Sequence, residues 1–311
     1  MKLGVALGWH VHPWEELLGL VRRAEELGYA AAFVDGDLSM LGERSETDAL
    51  DGWTVTTALL AHTRRIQIGS MRMAHHWNAA KLAQAVATAV RLAPGRLRFL
   101  VSVGDHAIDA RFGMPWLAPA DRIAQLGETL SALRGLWRGE TVTLHGRFVE
   151  LDRARVRPIP PGGRIRIEIA AKGPRMLELV ARHAEVWDVN LPPLAARVEP
   201  AAEVLAEHCR RLGRDPREIE RSMWIYARVG EAPDAAASCK EYRRLNPWFH
   251  SIPDDELAGA MVLGTAAQCR ARLRELAAHL RLDWPVLDLS GLAAEASLQN
   301  LEALAPQASS R

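Results

Sequence analysis

Eight short apolar or β-branched runs, separated for the most part by stretches of helical periodicity, constrain this chain more than any other feature of it. The runs cover residues 3–7, 31–34, 66–69, 97–103, 165–170, 184–189, 223–229 and 286–289. Between the first two, Leu17, Leu18, Val21, Ala24 and Leu27 recur at helical spacing over residues 13–27, and Gly28 follows where a C-cap glycine would stand. Helices are also expected at 51–62 and at 79–92, the second ended by Pro94-Gly95. Strands that alternate with helices in this way cannot be joined by tight hairpins, so neighbouring strands run parallel and each crossover is helical. Eight such strands close a barrel, whereas a doubly wound sheet more often stops near six. The expectation is an α/β chain forming one (β/α)8 TIM barrel over residues 1–311, a length within the usual range of that fold.

Two stretches exceed the minimal repeat. Residues 105–164 hold a helix at 120–137 and then an alternating run at 141–150 around His145-Gly146, which reads as a β-hairpin. Residues 231–264 are helical and contain Asn246-Pro247-Trp248-Phe249-His250. Long insertions on barrel loops cover the mouth, so both are expected to be lid or substrate-pocket elements over the C-terminal face. The tail from Pro306 is expected to fray.

Composition excludes several classes. The formal net charge is +1, from 39 basic and 38 acidic side chains, without the clustered basic excess of a nucleic-acid or membrane-surface binder. No apolar run approaches the roughly 18 residues of a spanning helix, and the opening residues 1–8 read as a first strand and not as a secretory signal. The three cysteines, Cys209, Cys239 and Cys269, are far apart and form no CxxC pair, so neither a disulfide framework nor a zinc cluster is expected. A cytoplasmic location follows from that reading.

Several stretches, in order, resemble the bacterial luciferase-like oxidoreductases. Arg22-Arg23-Ala24-Glu25-Glu26-Leu27-Gly28-Tyr29 and the strand to Val34 are similar to that family's first helix and second strand. Pro94-Gly95-Arg96-Leu97, continuing to Gly104, resembles its fourth strand, and Asp121-Arg122 with Leu136-Trp137-Arg138-Gly139-Glu140 its following helix. Ala170-Ala171-Lys172-Gly173-Pro174-Arg175 resembles its phosphate loop after the fifth strand, and Leu263-Gly264-Thr265-Ala266 its closing helix start. The resemblance runs to about Gly291. It implies an enzyme using the deazaflavin coenzyme F420, with FMN as the alternative, a small-molecule substrate and a homodimer.

The phosphate loop also has a physical reading of its own. A strand end leading through Lys172 and Gly173 into a helix headed by Pro174 offers backbone N–H groups to an anion, and Lys172 and Arg175 add charge. The plain alternative is a capped helix with solvated cations. By the resemblance, Asn190 lies beside the ring system, Ser70 and Met71 fall where relatives carry a non-prolyl cis peptide behind it, and Val103 and Gly104 border the coenzyme.

Hydride transfer needs a positioned acid or base. F420-dependent relatives end the second strand in Asp-His, but this chain has Gly36-Asp37 there, a departure that counts against a sugar-phosphate or secondary-alcohol substrate. Asp105 is the expected proton donor or relay, with His106 and Asp37 behind it; as a structural alternative, an Asp after Gly104 serves as a helix cap or turn residue. Trp9, His10, His75 and Trp77 are expected in the substrate pocket, and Trp187 is placed near a strand end where a flat ligand could stack. Trp53, Trp137 and Trp224 read as core. The His10-Val11-His12 pattern also opens amidohydrolase metal sites. Such sites demand histidines after the fifth and sixth strands, where Ala171-Lys172 and Asn190-Leu191 stand, so no metal is expected. The function expected is hydride transfer between F420 and a small organic substrate, such as reduction of an activated C=C or C=N bond. FMN-dependent monooxygenation and flavin binding without catalysis are the alternatives.

Overall fold

The computed structural model describes residues 2–8, 12–34, 50–73, 76–104, 110 and 112–306, with the backbone alone at Ser70 and Arg72. The first helix, α1 (Trp14–Glu26), shows how local chemistry sets these elements. Leu17, Leu20, Val21 and Ala24 form its buried stripe, and Glu15 and Glu16 sit in the first turn, where the helix dipole favours acids. Its end is a Schellman motif. Gly28, at φ 87°, donates to the Glu25 carbonyl at 3.2 Å, and Tyr29 donates to Ala24 at 3.0 Å. The glycine read as a C-cap is required by that left-handed turn.

Eight strands then close into a parallel ring. In order around it stand β1 (Gly4–Leu7), β2 (Ala31–Val34), β3 (Gln67–Met73), β4 (Leu97–Ser102), β7 (Ile167–Ala171), β8 (Val186–Val189), β9 (Glu220–Val229) and β11 (Trp284–Asp288), and β11 pairs back onto β1. β1 and β2 are buried along their whole lengths, as strands of a barrel covered on both faces must be. α2 (Gly52–His62) and α3 (Ala79–Leu92) are N-capped by the carboxylate of Asp51 and the amide oxygen of Asn78. α9 (Ala266–His279) opens on a capping box of Thr265 and Gln268.

Three apolar clusters are buried among the described residues, and two of them belong to the barrel and its helices. The larger lies between strands and helices. The smaller fills the barrel interior with Ala6, Phe33, Leu100, Ala170, Trp284 and Val286, on which Met71 and Trp224 pack half-buried. Gly69 is demanded by that interior, because a Cβ there would lie 2.8 Å from Arg98 Cβ and 2.9 Å from the Phe33 ring.

The two long stretches differ in kind. α4 (Pro119–Trp137) buries Leu126, Leu130, Leu133 and Trp137 in the mantle as the helix due between the fourth and fifth barrel strands. The hairpin of β5 (Val142–His145) and β6 (Glu150–Ala154) lies on its flank, where the Glu128 carboxylate accepts from the N–H groups of Arg147, Phe148 and Val149. Most of this stretch is therefore outer wall and not lid. The second stretch carries its own small core, in which Tyr242, Leu245, Phe249, Ile252 and Leu257 pack on Tyr226 at the end of β9. It comprises α7 (Ala235–Leu245), a 3-10 turn (Pro247–Phe249), α8 (Asp254–Gly259) and β10 (Val262–Gly264), a short strand added to the edge of β9.

His183 ends α5 (Pro174–His183) in a buried position, where burial, then Arg134 and Arg182, hold its imidazole down at about 4 against an ordinary 6.5. The unfolded chain thus takes up this proton first. The contribution of His183 to stability is complete above 6.5 and is lost as the pH falls toward 4, by up to about 1.4 kcal/mol per pH unit. His183→Gln should flatten the decline of the urea midpoint over that interval, and parallel profiles for both proteins would exclude this histidine as its source.

Candidate active site

In a barrel of this kind the chemistry belongs to the C-terminal ends of the strands. Between β7 and α5, Lys172 and Gly173 form the link, Gly173 is the N-cap and Pro174 the first helical residue. Gly173 has an ordinary extended backbone at φ −105°, so its glycine identity is not a matter of dihedral freedom. It keeps the approach open instead, since a Cβ there would meet no atom within 4 Å. The first-turn N–H groups of α5 have no acceptor within the helix, and Lys172 and Arg175 are exposed beside them. That combination of donors, charge and space suits an anion. The Lys172 ammonium lies 5.5 Å from the ring centre of Trp248, brought there by the second long stretch, which in this respect does reach the mouth as expected. Arg228 holds that stretch down: it donates to the carbonyls of Asp288 at 2.9 Å and Ser290 at 2.8 Å and pairs with Glu241 of α7 at 3.2 Å.

Asn190 stands half-buried one residue past β8, its N–H directed to the Ala171 carbonyl at 3.4 Å, which puts it beside the β7–α5 link. Ala170 and Ala171 are buried in β7. Val103 and Gly104 follow β4, half-buried, with Gly104 at φ 66°. Arg122 of α4 fixes that departure, donating from Nη1 to the Val103 carbonyl at 2.9 Å and to that of Gly104, with its guanidinium 4.0 Å from the Trp116 ring. Met71 and Trp224 form the upper surface of the interior core, and so the floor of the mouth.

Of the other expected residues, Trp77 packs edge-on to Trp53, 6.1 Å between ring centres, against the mantle core. Trp187 is corrected: it is wholly buried among the helices and donates its indole N–H to Ala171 at 2.9 Å, so no ligand can stack on it. His12 is likewise buried at the start of α1 near Glu16, and burial lowers its pKa. Among the described residues the cis peptide bond is Arg157–Pro158, away from β3, and the cis bond expected near Ser70 and Met71 is not among them. Trp9, His10, Asp37, His75, Asp105 and His106 lie outside the described residues.

Two contributors carry no distinguishing signal in the sequence: Arg122, whose partners are backbone carbonyls across the β4 end, and Trp248, whose neighbour Lys172 is distant along the chain. Trp224, read as core, does pack on the interior core.

Comparison with known proteins agrees with this architecture. The family model described as luciferase-like monooxygenase matches residues 1–239. An F420-dependent glucose-6-phosphate dehydrogenase of Rhodococcus hoagii is 32% identical over 268 residues, 76% of this chain and 77% of that protein. One from Nakamurella multipartita is 29% identical over 209 residues, 62% of this chain but only 60% of its own length. Among solved structures, an F420-dependent secondary alcohol dehydrogenase bound to an F420-acetone adduct has a TM-score of 0.81 at 18% identity, covering 97% of this chain and 98% of that one. A monooxygenase from Streptomyces bottropensis has a TM-score of 0.80 at 21% identity, covering 98% of both. These two share the fold. No described helix is long and apolar enough to cross a membrane.

Proposed function

Because the chain belongs to the luciferase-like monooxygenase family, we propose that it is an oxidoreductase moving a hydride between coenzyme F420 and a small organic substrate. The observation that carries this reading is the 32% identity over 268 residues to an F420-dependent dehydrogenase, on a fold with an anion-suited link at its mouth. The residues present fit such a coenzyme: an open helix start flanked by Lys172 and Arg175 suits a phosphate, and Met71 with Trp224 gives a flat ring an apolar floor. When bound, the deazaflavin supplies the carbon that accepts or gives up the hydride.

In this reading the chain's own groups divide the remaining work. Lys172, Gly173, Pro174 and Arg175 hold the phosphate, while Ala170, Ala171, Ser70, Val103, Gly104 and Asn190 border the coenzyme. Asp105 holds or releases the proton that accompanies hydride transfer, with His106 and Asp37 as further candidates. Trp9, His10, His75 and Trp77 shape the substrate side. With Asp37 where relatives have histidine, an activated C=C or C=N bond is a better substrate than a sugar phosphate. A homodimer and a cytoplasmic location complete the reading.

The family description itself favours a second reading, FMN-dependent monooxygenation. Fluorescence titration of the purified chain with FMN and with oxidised and reduced F420 separates the two. Tight binding of F420 alone supports hydride transfer, and tight binding of FMN alone supports the oxygenase. Binding of neither removes the coenzyme assignment, and coenzyme binding with no turnover of any acceptor supports the non-catalytic alternative. Lys172→Ala combined with Arg175→Ala should raise the dissociation constant at least about tenfold, equivalent to roughly 1.4 kcal/mol. Unchanged affinity would mean the phosphate lies elsewhere.

A further inference from the structure

Beneath the mouth, the barrel interior contains more polar groups than its hydrogen bonds account for. Arg98 on β4, Glu168 on β7, Asp188 on β8 and Ser222 on β9 are all buried and face inward. The alternation is fixed by their neighbours. Trp187 and Arg221 meet on the outer side, ring to guanidinium at 5.8 Å, so Asp188 and Ser222, which are register partners, point in. Arg98 donates from Nε and Nη2 to the same carboxylate oxygen, Glu168 Oε2, at 2.9 and 2.5 Å. Glu168 Oε1 is buried with no partner among the described residues, and so is Ser222 Oγ. One inward position up β9, the indole Nε1 of Trp224 is in the same state.

Trp224 itself is only half-buried and lies 5.6 Å from the Phe33 ring, tilted by 54°. Its Nε1 is buried while part of the indole remains exposed. Burial, and then the charge on Glu168, pushes the Asp188 carboxyl well above the usual carboxylate range, which favours its protonated, hydrogen-donating form. The inventory is balanced: donors on Trp224 and Asp188, an acceptor on Glu168, and a hydroxyl on Ser222 that does either. A buried water needs two to four such partners in polar surroundings.

We propose that ordered water beneath the mouth ties the indole N–H of Trp224 to Ser222, Asp188 and Glu168, and that Trp224, so anchored, is a positioning residue on which a planar ring ligand rests. The second half rests on the coenzyme reading above; the first does not. Three layers then act together. The Arg98–Glu168 pair fixes the carboxylate, the water transmits that fixed position to the indole N–H, and the indole face sets the height and tilt of the ring above it. This separates Trp224 from Trp187, which is equally aromatic but turned outward.

The tests are a crystal structure of the purified protein resolving ordered water, and ring binding by Trp224→Phe, Trp224→Leu and Asp188→Asn. Water within hydrogen-bonding distance of Trp224 Nε1 and at least one of the other three groups is expected. A direct bond from Asp188 to Glu168 Oε1 with no water on Trp224 overturns the anchoring. With whichever of F420 and FMN the wild type binds, Trp224→Leu should weaken binding about tenfold, as for loss of an aromatic stacking contact. Trp224→Phe, which keeps a ring but removes the anchoring N–H, should show a smaller loss, and Asp188→Asn, which keeps a neutral donor at that position, should bind near wild type, both with a thermal midpoint near wild type. Wild-type affinity in Trp224→Leu overturns the positioning role. If the wild type binds neither coenzyme, the functional reading fails and the crystal structure alone decides the anchoring.

Discussion

Arg98→Met should destabilise the protein by about 3–5 kcal/mol, the usual cost of removing one partner from a buried ion pair. The guanidinium is enclosed on every side. It lies 4.0 Å from the centre of the Trp284 ring and 5.3 Å from that of Phe33, and both of its bonds to Glu168 go to one oxygen. Methionine fills much of the space but leaves the buried carboxylate without its cation, with its other oxygen already lacking a partner among the described residues. The double variant Arg98→Met with Glu168→Leu removes the charge as well. It should recover most of the loss, because an apolar pair of similar volume commonly matches or exceeds a buried ion pair in stability. Urea unfolding of the wild type, both single variants and the double variant forms the thermodynamic cycle. If the double variant is as unstable as the sum of the two singles, the pair is not coupled in this way and the loss is one of packing.

That pair also bears on what was readable in advance. Strand positions were legible because a strand covered on both faces is apolar throughout: residues 31–34 and the helix at 79–92 coincide with β2 and α3. The apolar run of the third strand stops at Gly69 because Ser70 and Arg72 interrupt it, although pairing continues to Met73. β10 leaves no signal because a strand of three residues cannot outweigh the helical periodicity around it. Inward and outward tryptophans cannot be told apart by residue type, since parity along the strand decides. The signal lay in neighbouring polar residues: Asp188 follows Trp187 and Ser222 precedes Trp224 by two, and a buried polar layer inside the barrel fixes the parity of both strands. The outer-wall role of the hairpin was not legible, because it depends on Glu128 capturing three backbone N–H groups from across a gap of some twenty residues.

Asp105→Asn should lower turnover about 100-fold or more, the scale of a lost general acid or base, while coenzyme affinity stays within about twofold. The residue immediately follows a strand end whose course is set from outside: Gly104 turns at φ 66°, and Arg122 binds the carbonyls of both Val103 and Gly104. A proton-transferring group gains from such an origin, because its reach depends on where the backbone leaves the sheet. Asparagine makes the substitution decisive. It caps helices and fills turns about as well as aspartate, so a purely structural Asp105 would tolerate the change. What the amide cannot do is hold and release a proton in the working range of pH. The measurement is oxidation of reduced F420 with a panel of unsaturated and imine acceptors, run beside coenzyme titrations of the same preparations, with His106→Gln and Asp37→Asn as comparisons. Turnover lost with affinity intact assigns the proton to Asp105. Equal losses of turnover and affinity would make it a binding or structural residue, and full activity would pass the role to His106 or Asp37, whichever variant then fails.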